Sequence, residues 1–476
     1  MPSFIKLLVL LTFTLLATAC SEKVPAEQTS PNIILILVDD LGFGDISING
    51  QKYIETPNLH QMAHDGMVLS QFYAGSPVCA PSRSALMTGM HTGHTHIRGN
   101  KEIQPEGQEP ILDSLTTIAE VLKSSGYKTG AFGKWGLGFV GTEGDPLNQG
   151  FDQFYGYNCQ RQSHRYYPPH LWSNDTRIEL PNNNPQNADG YAPDLIQKEA
   201  LGFIESNADK PFFLFLPYTL PHAELVVPED SLFQKYKGKF EEVPYHGNDY
   251  VPGEARTGYA SQPYPKAAYA AMVNRIDVYV GQVMAKLVEL GIDENTLVIF
   301  TSDNGPAKEG GADPDFFDSN GIYRGYKRDV YEGGVRVPFI ARWPGKIASG
   351  ATNTHVSAFW DLLPTFAEIA DVDVKHKIDG LSILPALIDK GEQQEHSYLY
   401  WEFHEQGGKQ AVRKGDWKAV RLNVKDNPDE AIELYDLKED PEEQKNLALQ
   451  YPHIVEEMAT IMDEAHVESD IFPFIR

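Results

Sequence analysis

The sequence predicts an α/β fold: a sheet of buried strands with helices between them, then a smaller unit of short antiparallel strands and one helix. Three continuous apolar runs, Asn32–Val38, Lys210–Pro217 and Thr296–Thr301, have the β-branched or aromatic character of strands covered on both faces. Helical patterns lie between them, at Leu115–Ser125 before Gly126 and at Pro265–Leu290 before Gly291. From about residue 391 the texture changes, and Ser397–Phe403, Gln410–Val412, Trp417–Arg421 and Glu433–Leu437 alternate apolar and polar residues between polar turns. The expected organisation is a large domain over 31–390 and a subdomain over 391–476, closed by an amphipathic helix, Tyr451–His466.

A chain of 476 residues has room for both units. Its formal charge of −26 argues against nucleic acid or an anionic membrane surface as partner. An anionic substrate would therefore need a local cationic pocket. Residues 1–20 read as a signal peptide: Lys6, the apolar run Leu7–Leu16, then Ala17-Thr18-Ala19-Cys20. The run is too short to span a bilayer as a stable helix. Cys20 after small residues resembles a bacterial lipoprotein processing site, with residues 21–30 as a solvated tether, while Ala17-x-Ala19 also suits ordinary signal peptidase. Either route exports the protein to the periplasm or cell surface, with a lipid anchor in the first case.

Taken in order, the first strand ends in Asp39-Asp40, two carboxylates that are costly at a buried strand end unless a cation joins them. Thr56-Pro-Asn-Leu-His60 starts a helix. Ser76-Pro-Val-Cys79-Ala-Pro-Ser-Arg83 puts a thiol at the head of a helix-compatible run, where free N–H groups and Arg83 favour a thiolate. His91, His94 and His96 invite a zinc reading, but their run is broken by glycine and has no second ligand cluster. Strand Lys128–Phe132 leads into Gly133-Lys134-Trp135-Gly136, a loop able to aim an ammonium into an anion pocket. Gln162 and His164 lie in an aromatic stretch whose Tyr166, Tyr167 and Trp172 suit stacking on sugar faces or a place in the core equally. His222 follows a strand end behind Pro221, and residues 228–263 read as an irregular excursion over the active face. Asp303 and Asn304 follow the third strand, and ligands gather at this edge of open α/β sheets. Asp39, Asp40, Asp303 and Asn304 form an all-oxygen set suited to Ca²⁺ or Mg²⁺ rather than zinc.

Cys79-x-Pro81-Ser82-Arg83, with Leu86 and Thr88-Gly89, resembles the signature of the type I sulfatases of the alkaline phosphatase superfamily. Further motifs follow in that family's order: Gly133-Lys134-Trp135, Pro221-His222, and Gly325-Tyr-Lys327 through Gly334. The resemblance implies a large mixed sheet flanked by helices, a small C-terminal subdomain, and calcium in preference to magnesium. It implies that a formylglycine-generating or anaerobic sulfatase-maturing enzyme oxidises Cys79 to formylglycine, which also serves as a metal ligand. Cys20 and Cys79 would then be consumed, leaving Cys159; a Cys79–Cys159 disulfide is the competing state. The hydrated aldehyde would attack sulfur, Lys134 and Lys327 would hold the sulfuryl oxygens, and His222 would protonate the leaving alcohol. The substrate implied is a sulfated poly- or oligosaccharide.

One departure stands out. Gly136 occupies the place of a histidine that in many relatives contacts formylglycine and helps regenerate it. Gln162 and His164 are the expected replacements, and His404, Gln410 and Arg413 are further substrate-contact candidates from the subdomain. The rival readings are a phosphodiesterase or phosphonate hydrolase of the same superfamily and a sulfoglycan-binding lipoprotein without catalysis.

Overall fold

The computed structural model describes residues 30–249, 258–427 and 429–474. The signal peptide, Cys20 and all of the tether but Ser30 lie outside the described residues. Among the described residues, no helix is long and apolar enough to cross a membrane.

A ten-stranded mixed sheet forms the body of the protein. Its centre is Asn32–Asp39, buried along its whole length and parallel to Phe212–Pro221 on one side and Thr296–Ser302 on the other. Lys128–Lys134 and Gln153–Tyr157 continue the parallel part, and Phe339–Arg342 adds an antiparallel strand beside Thr296–Ser302. Alternate residues of the central strand feed two cores, because successive side chains leave a strand on opposite faces. Ile34, Ile36 and Val38 pack with helices Ala192–Ser206 and Pro265–Glu289. Ile33, Leu35 and Leu37 pack with helices Cys79–Thr88, Ile118–Ser124 and Leu362–Ile369.

Two expected elements differ in detail. The helix read from Leu115 begins at Ile118, because Thr117 caps it: its hydroxyl accepts from Glu120 N–H, and the Glu120 carboxylate accepts from Thr117 N–H. The excursion at 228–263 contains a helix, Ser231–Tyr236, capped by Asp230, whose carboxylate accepts from the N–H groups of Leu232 and Phe233.

A second sheet of four antiparallel strands runs in chain order: Leu399–Phe403, Lys409–Lys414, Trp417–Leu422 and Glu433–Asp436. One face, with Leu399, Trp401 and Val420, packs on Tyr73, Val335 and Trp360 of the body. The other, with Tyr400, Val412 and Leu434, is covered by Met458 and Met462 of helix Pro452–Glu464.

Candidate active site

Adjacent strand residues normally face opposite ways, yet Asp39 and Asp40 both serve one site. The chain leaves the strand at Asp40 in the left-handed region, φ 65°, a conformation Asp tolerates better than most residues. Asp39 Oδ2 accepts from Lys134 Nζ at 2.6 Å, and Asp40 Oδ2 accepts from Lys327 Nζ at 2.8 Å. Asp303 Oδ2 accepts from Arg83 Nε and Nη2 at 3.1 and 2.8 Å, and Asp303 Oδ1 accepts from Asp40 N–H. Arg83 also donates to the Lys134 carbonyl at 2.6 Å, so its guanidinium ties the Cys79 helix to two strand ends. Three carboxylates thus meet three cations, all but excluded from solvent.

Cys79 opens the helix Cys79–Thr88, whose ten residues are all buried. Its thiol donates to Asp39 Oδ1 at 3.3 Å. The expected thiolate is corrected here. Burial, and then the Asp39 charge, push this thiol far above its ordinary range, outweighing Lys134 and Lys327. The disulfide alternative is also overturned, because Cys79 and Cys159 are both free and buried.

His222 is fixed by its neighbours. Nδ1–H donates to the Ala223 carbonyl, which leaves Nε2 facing Lys327 Nζ at 3.0 Å and Asp40 Oδ2 at 3.3 Å. Burial lowers its pKa despite the pull of Asp40. His164 stacks on His222 with ring centroids 4.3 Å apart; burial, and then His222, hold it well below the usual histidine range. Burial opposes the charge on Lys134 and Lys327, but Asp39 and Asp40 keep both above the usual lysine value.

These groups open onto a cavity of ≈ 240 Å³ whose lining includes Cys79, His164, His222 and Lys327. Asn100, Gln160, Arg161, Tyr259 and Arg328 complete much of its wall, and sequence reasoning passed over Gln160, Arg161, Tyr259 and Arg328. Gly136 carries a φ of 76°, and a Cβ there would lie 2.9 Å from Gln160 Cγ. Gln160 therefore fills the space beside Gly136, and its Nε2 donates to Asn100 Oδ1, which also accepts the Ala80 N–H. A polar residue right after a lone cysteine was the available signal.

Several expected contacts fall elsewhere. Gln162 turns away to His170, donating to its carbonyl at 3.0 Å. Arg413 is spent on Tyr73, Gln71 Oε1 and the Gly415 carbonyl, in the wall of another cavity. Gln410 is buried and donates to Tyr400. His404 lines a neighbouring cavity rather than this one. Tyr166 and Tyr167 are core residues, and the Tyr166 hydroxyl holds the Thr219 and His222 carbonyls at 2.8 and 2.7 Å. Trp172 donates to Glu106.

The residues present fit a hard cation. Asp39, Asp40, Cys79 and His222 offer ligand atoms within 4.8 Å of one another. Asn304 donates Nδ2 to Asp40 Oδ1, and its Oδ1 is buried without a partner, an acceptor that a cation would satisfy. Burial, and then the Asp39 charge, raise Asp303 to about 7, whereas burial is outweighed at Asp39 and Asp40, which their cationic neighbours hold below the ordinary carboxylate value. His91, His94 and Asp379 also cluster, but His91 Nδ1 accepts from Gly93 N–H. A neutral His91 therefore keeps its proton on Nε2, the ring atom on the side of Asp379.

The sulfatase family model matches residues 31–372, well over half the chain. The chain belongs to the sulfatase family. A second model, described as N-sulphoglucosamine sulphohydrolase, C-terminal, matches residues 321–468 of this sulfatase. It is 33% identical to the N-acetylgalactosamine-6-sulfatase of Mus musculus, over 87% of this chain and 75% of that one. It is 32% identical to the arylsulfatase A of Homo sapiens, over 89% of this chain and 84% of that one. Among solved structures it resembles Ps i-CgsB in complex with k-i-k-neocarrahexaose, with 27% identity, a TM-score of 0.73, and 91% and 92% of the two chains covered. The sulfatase is an enzyme of sulfate ester hydrolysis with an alkaline-phosphatase-like fold.

Proposed function

We propose that this sulfatase removes sulfate from a sulfated saccharide, using a formylglycine made from Cys79. The observation that carries the reading is Cys79 at a helix head in the wall of a cavity shared with His222 and Lys327, with Lys134 behind it on Asp39. Oxidised and hydrated, position 79 supplies an oxygen nucleophile, and a calcium ion held by Asp39, Asp40, Asp303 and Asn304 supplies a fixed positive charge.

The chain's own groups do the rest. Lys134 and Lys327 are buried ammonium groups, preorganised for the charge on sulfuryl oxygens in a chain whose net charge of −26 would otherwise repel them. His222 holds its Nδ1 proton on Ala223, so in the protonated ring Nε2 is the atom that passes a proton to the leaving oxygen, beside the Lys327 ammonium. Arg83 positions Asp303 and the Lys134 loop rather than touching substrate. His164, neutral and stacked on His222, takes the proton that resets the site, a task Gly136 cannot perform. Export, a lipid anchor on Cys20 and dependence on a maturation enzyme belong to the same proposal.

Mass spectrometry of the Cys79 peptide, from a host with maturation machinery, tests it. Sulfur exchanged for oxygen with loss of two hydrogens, together with sulfate release from sulfated oligosaccharides, is the expected result. An unmodified thiol removes the nucleophile. Matched sulfate and phosphate esters of one alcohol separate a sulfuryl from a phosphoryl enzyme, and the sulfate ester is expected to react faster.

A further inference from the structure

The loop that carries Lys327 is gripped by the second sheet along its length. Arg324 Nη1 donates to the Tyr435 hydroxyl at 2.9 Å and to the Glu443 carbonyl at 3.1 Å. Lys409 Nζ donates to the Arg328 carbonyl at 2.7 Å and to Asp329 Oδ1 at 3.0 Å. The Tyr331 hydroxyl donates to Glu433 Oε2 at 2.6 Å, and Lys418 Nζ donates to Glu332 Oε1 at 2.8 Å. Among the described residues, the Cys79 cavity is lined by none of Lys409, Lys418, Glu433, Tyr435 and Glu443. These groups act on the site only through the loop.

Lys409 takes hold nearest the chemistry. Arg328, the residue after Lys327, has a φ of 77°, in the left-handed region that a residue with a side chain enters rarely. Both of its backbone groups are engaged. Its N–H donates at 2.9 Å to the carbonyl of Pro77, two positions before Cys79, and its carbonyl accepts from the Lys409 ammonium. Asp329 meets the same ammonium with Oδ1 and accepts from Tyr326 N–H with Oδ2 at 3.1 Å, which closes the turn around Lys327. The Lys409 side chain is only 12% exposed, so these charge-assisted bonds meet little competition from water. A strained turn is thus fastened to the Cys79 loop on one side and to the second sheet on the other.

We propose that Lys409 is a positioning residue: its ammonium holds the left-handed turn at Arg328 and so keeps Lys327 Nζ between Asp40 Oδ2 and His222 Nε2, at 2.8 and 3.0 Å. The inference rests on Lys327 meeting the sulfuryl oxygens. Without the ammonium, the Arg328 carbonyl loses a charged donor and Asp329 loses its counter-ion. The turn then relaxes, and Lys327 moves with it. A misplacement of about 1 Å in a reacting group costs up to about 10²-fold in rate.

The test is a double-mutant cycle between Lys409 and Lys327, on matured protein with a sulfated oligosaccharide that the parent cleaves. Lys409→Met keeps the apolar stem, and it is expected to lower kcat/KM about 10- to 30-fold. In the Lys327→Met background the same change costs less than about twofold, because the group it positions is gone. Lys414→Gln, on the same strand but paired with Glu457 of the C-terminal helix, stays within about twofold of the parent. Lys409→Gln, which still donates one neutral bond, loses about threefold and serves the same cycle if Lys409→Met does not fold. An undiminished kcat/KM in Lys409→Met, or a loss that persists in full without Lys327, overturns the positioning role. If the parent cleaves no sulfate ester, the catalytic reading fails by itself, and hydrogen exchange decides the brace. Exchange about tenfold faster at the Lys327 and Arg328 amides of Lys409→Met, with strand Asn32–Asp39 unchanged, sustains it. Unchanged exchange at those two amides overturns it.

Discussion

Two buried acidic clusters in this protein have opposite electrostatics. Glu402, on the second sheet where it meets the body, accepts from Arg98, His404, His466 and Tyr400 at 3.1, 2.9, 2.8 and 2.8 Å. Burial works against its charge, but these donors, led by His404 and His466, hold its pKa at about 2. Asp303, at the sheet edge, is equally buried and paired with Arg83, yet it faces Asp39 and Asp40 and is lifted to about 7. One carboxylate is saturated with donors and ties two units together. The other is ionised against burial and the Asp39 charge, with Arg83 as its counter-ion. A fold tolerates such crowding where function needs it.

The largest expected effect strikes the site that the crowding serves. Cys79→Ala should lower sulfate release by on the order of 10⁴-fold or more, while thermal unfolding stays within a few degrees of the parent. Residual turnover near the parent's would mean that the cluster surrounds something other than the nucleophile.

Asp303→Asn sharpens the contrast between the clusters. Calcium binding by calorimetry should weaken at least about tenfold, and the upward shift in Tm that calcium gives the parent should shrink. With chelator present, the variant should be as stable as the parent or more so, because a repulsive charge is gone. A variant that binds calcium as tightly as the parent would place the ion elsewhere.

Glu402→Gln should behave in the opposite way, losing about 1–3 kcal/mol at neutral pH with no dependence on calcium. Because the folded-state pKa is depressed, its contribution is complete above the unfolded value near 4.5 and is lost as pH falls through about 2. The gap between parent and variant in urea unfolding should therefore close across that window. A gap that stays constant would show that the carboxylate's charge is not its source. The smallest effect is expected of Tyr166→Phe, about 1 kcal/mol of stability and a modest fall in kcat, since its hydroxyl only steadies the Thr219–His222 turn.

The strands and the nucleophile were legible because their signals are local. Asn32–Asp39 and Thr296–Ser302 are continuous apolar runs, and the Cys79 signature is one contiguous stretch. The choice between Gln160 and Gln162 was not legible. Both lie on one short helix, and residues two apart on a helix point roughly 200° from each other, so only the packing of Gln160 beside Gly136 decides which enters the cavity. Arg413 shows the same limit: its strand was foreseen, but Tyr73 and Gln71, over 300 positions earlier, claim its guanidinium.

The sequence by itself therefore determined where the strands run, that polar ligands close them, and which cysteine carries the family signature, because periodicity and contiguous motifs are properties of neighbouring residues. The tertiary structure alone decided the state of that cysteine and the balance of the site. The thiol meets Asp39 from 40 positions away, Lys134 reaches the same carboxylate from 95, and Arg83 grips Asp303 from 220. Charges separated so far along the chain interact only once folding has removed the water between them, and burial then makes each contact strong enough to set a protonation state.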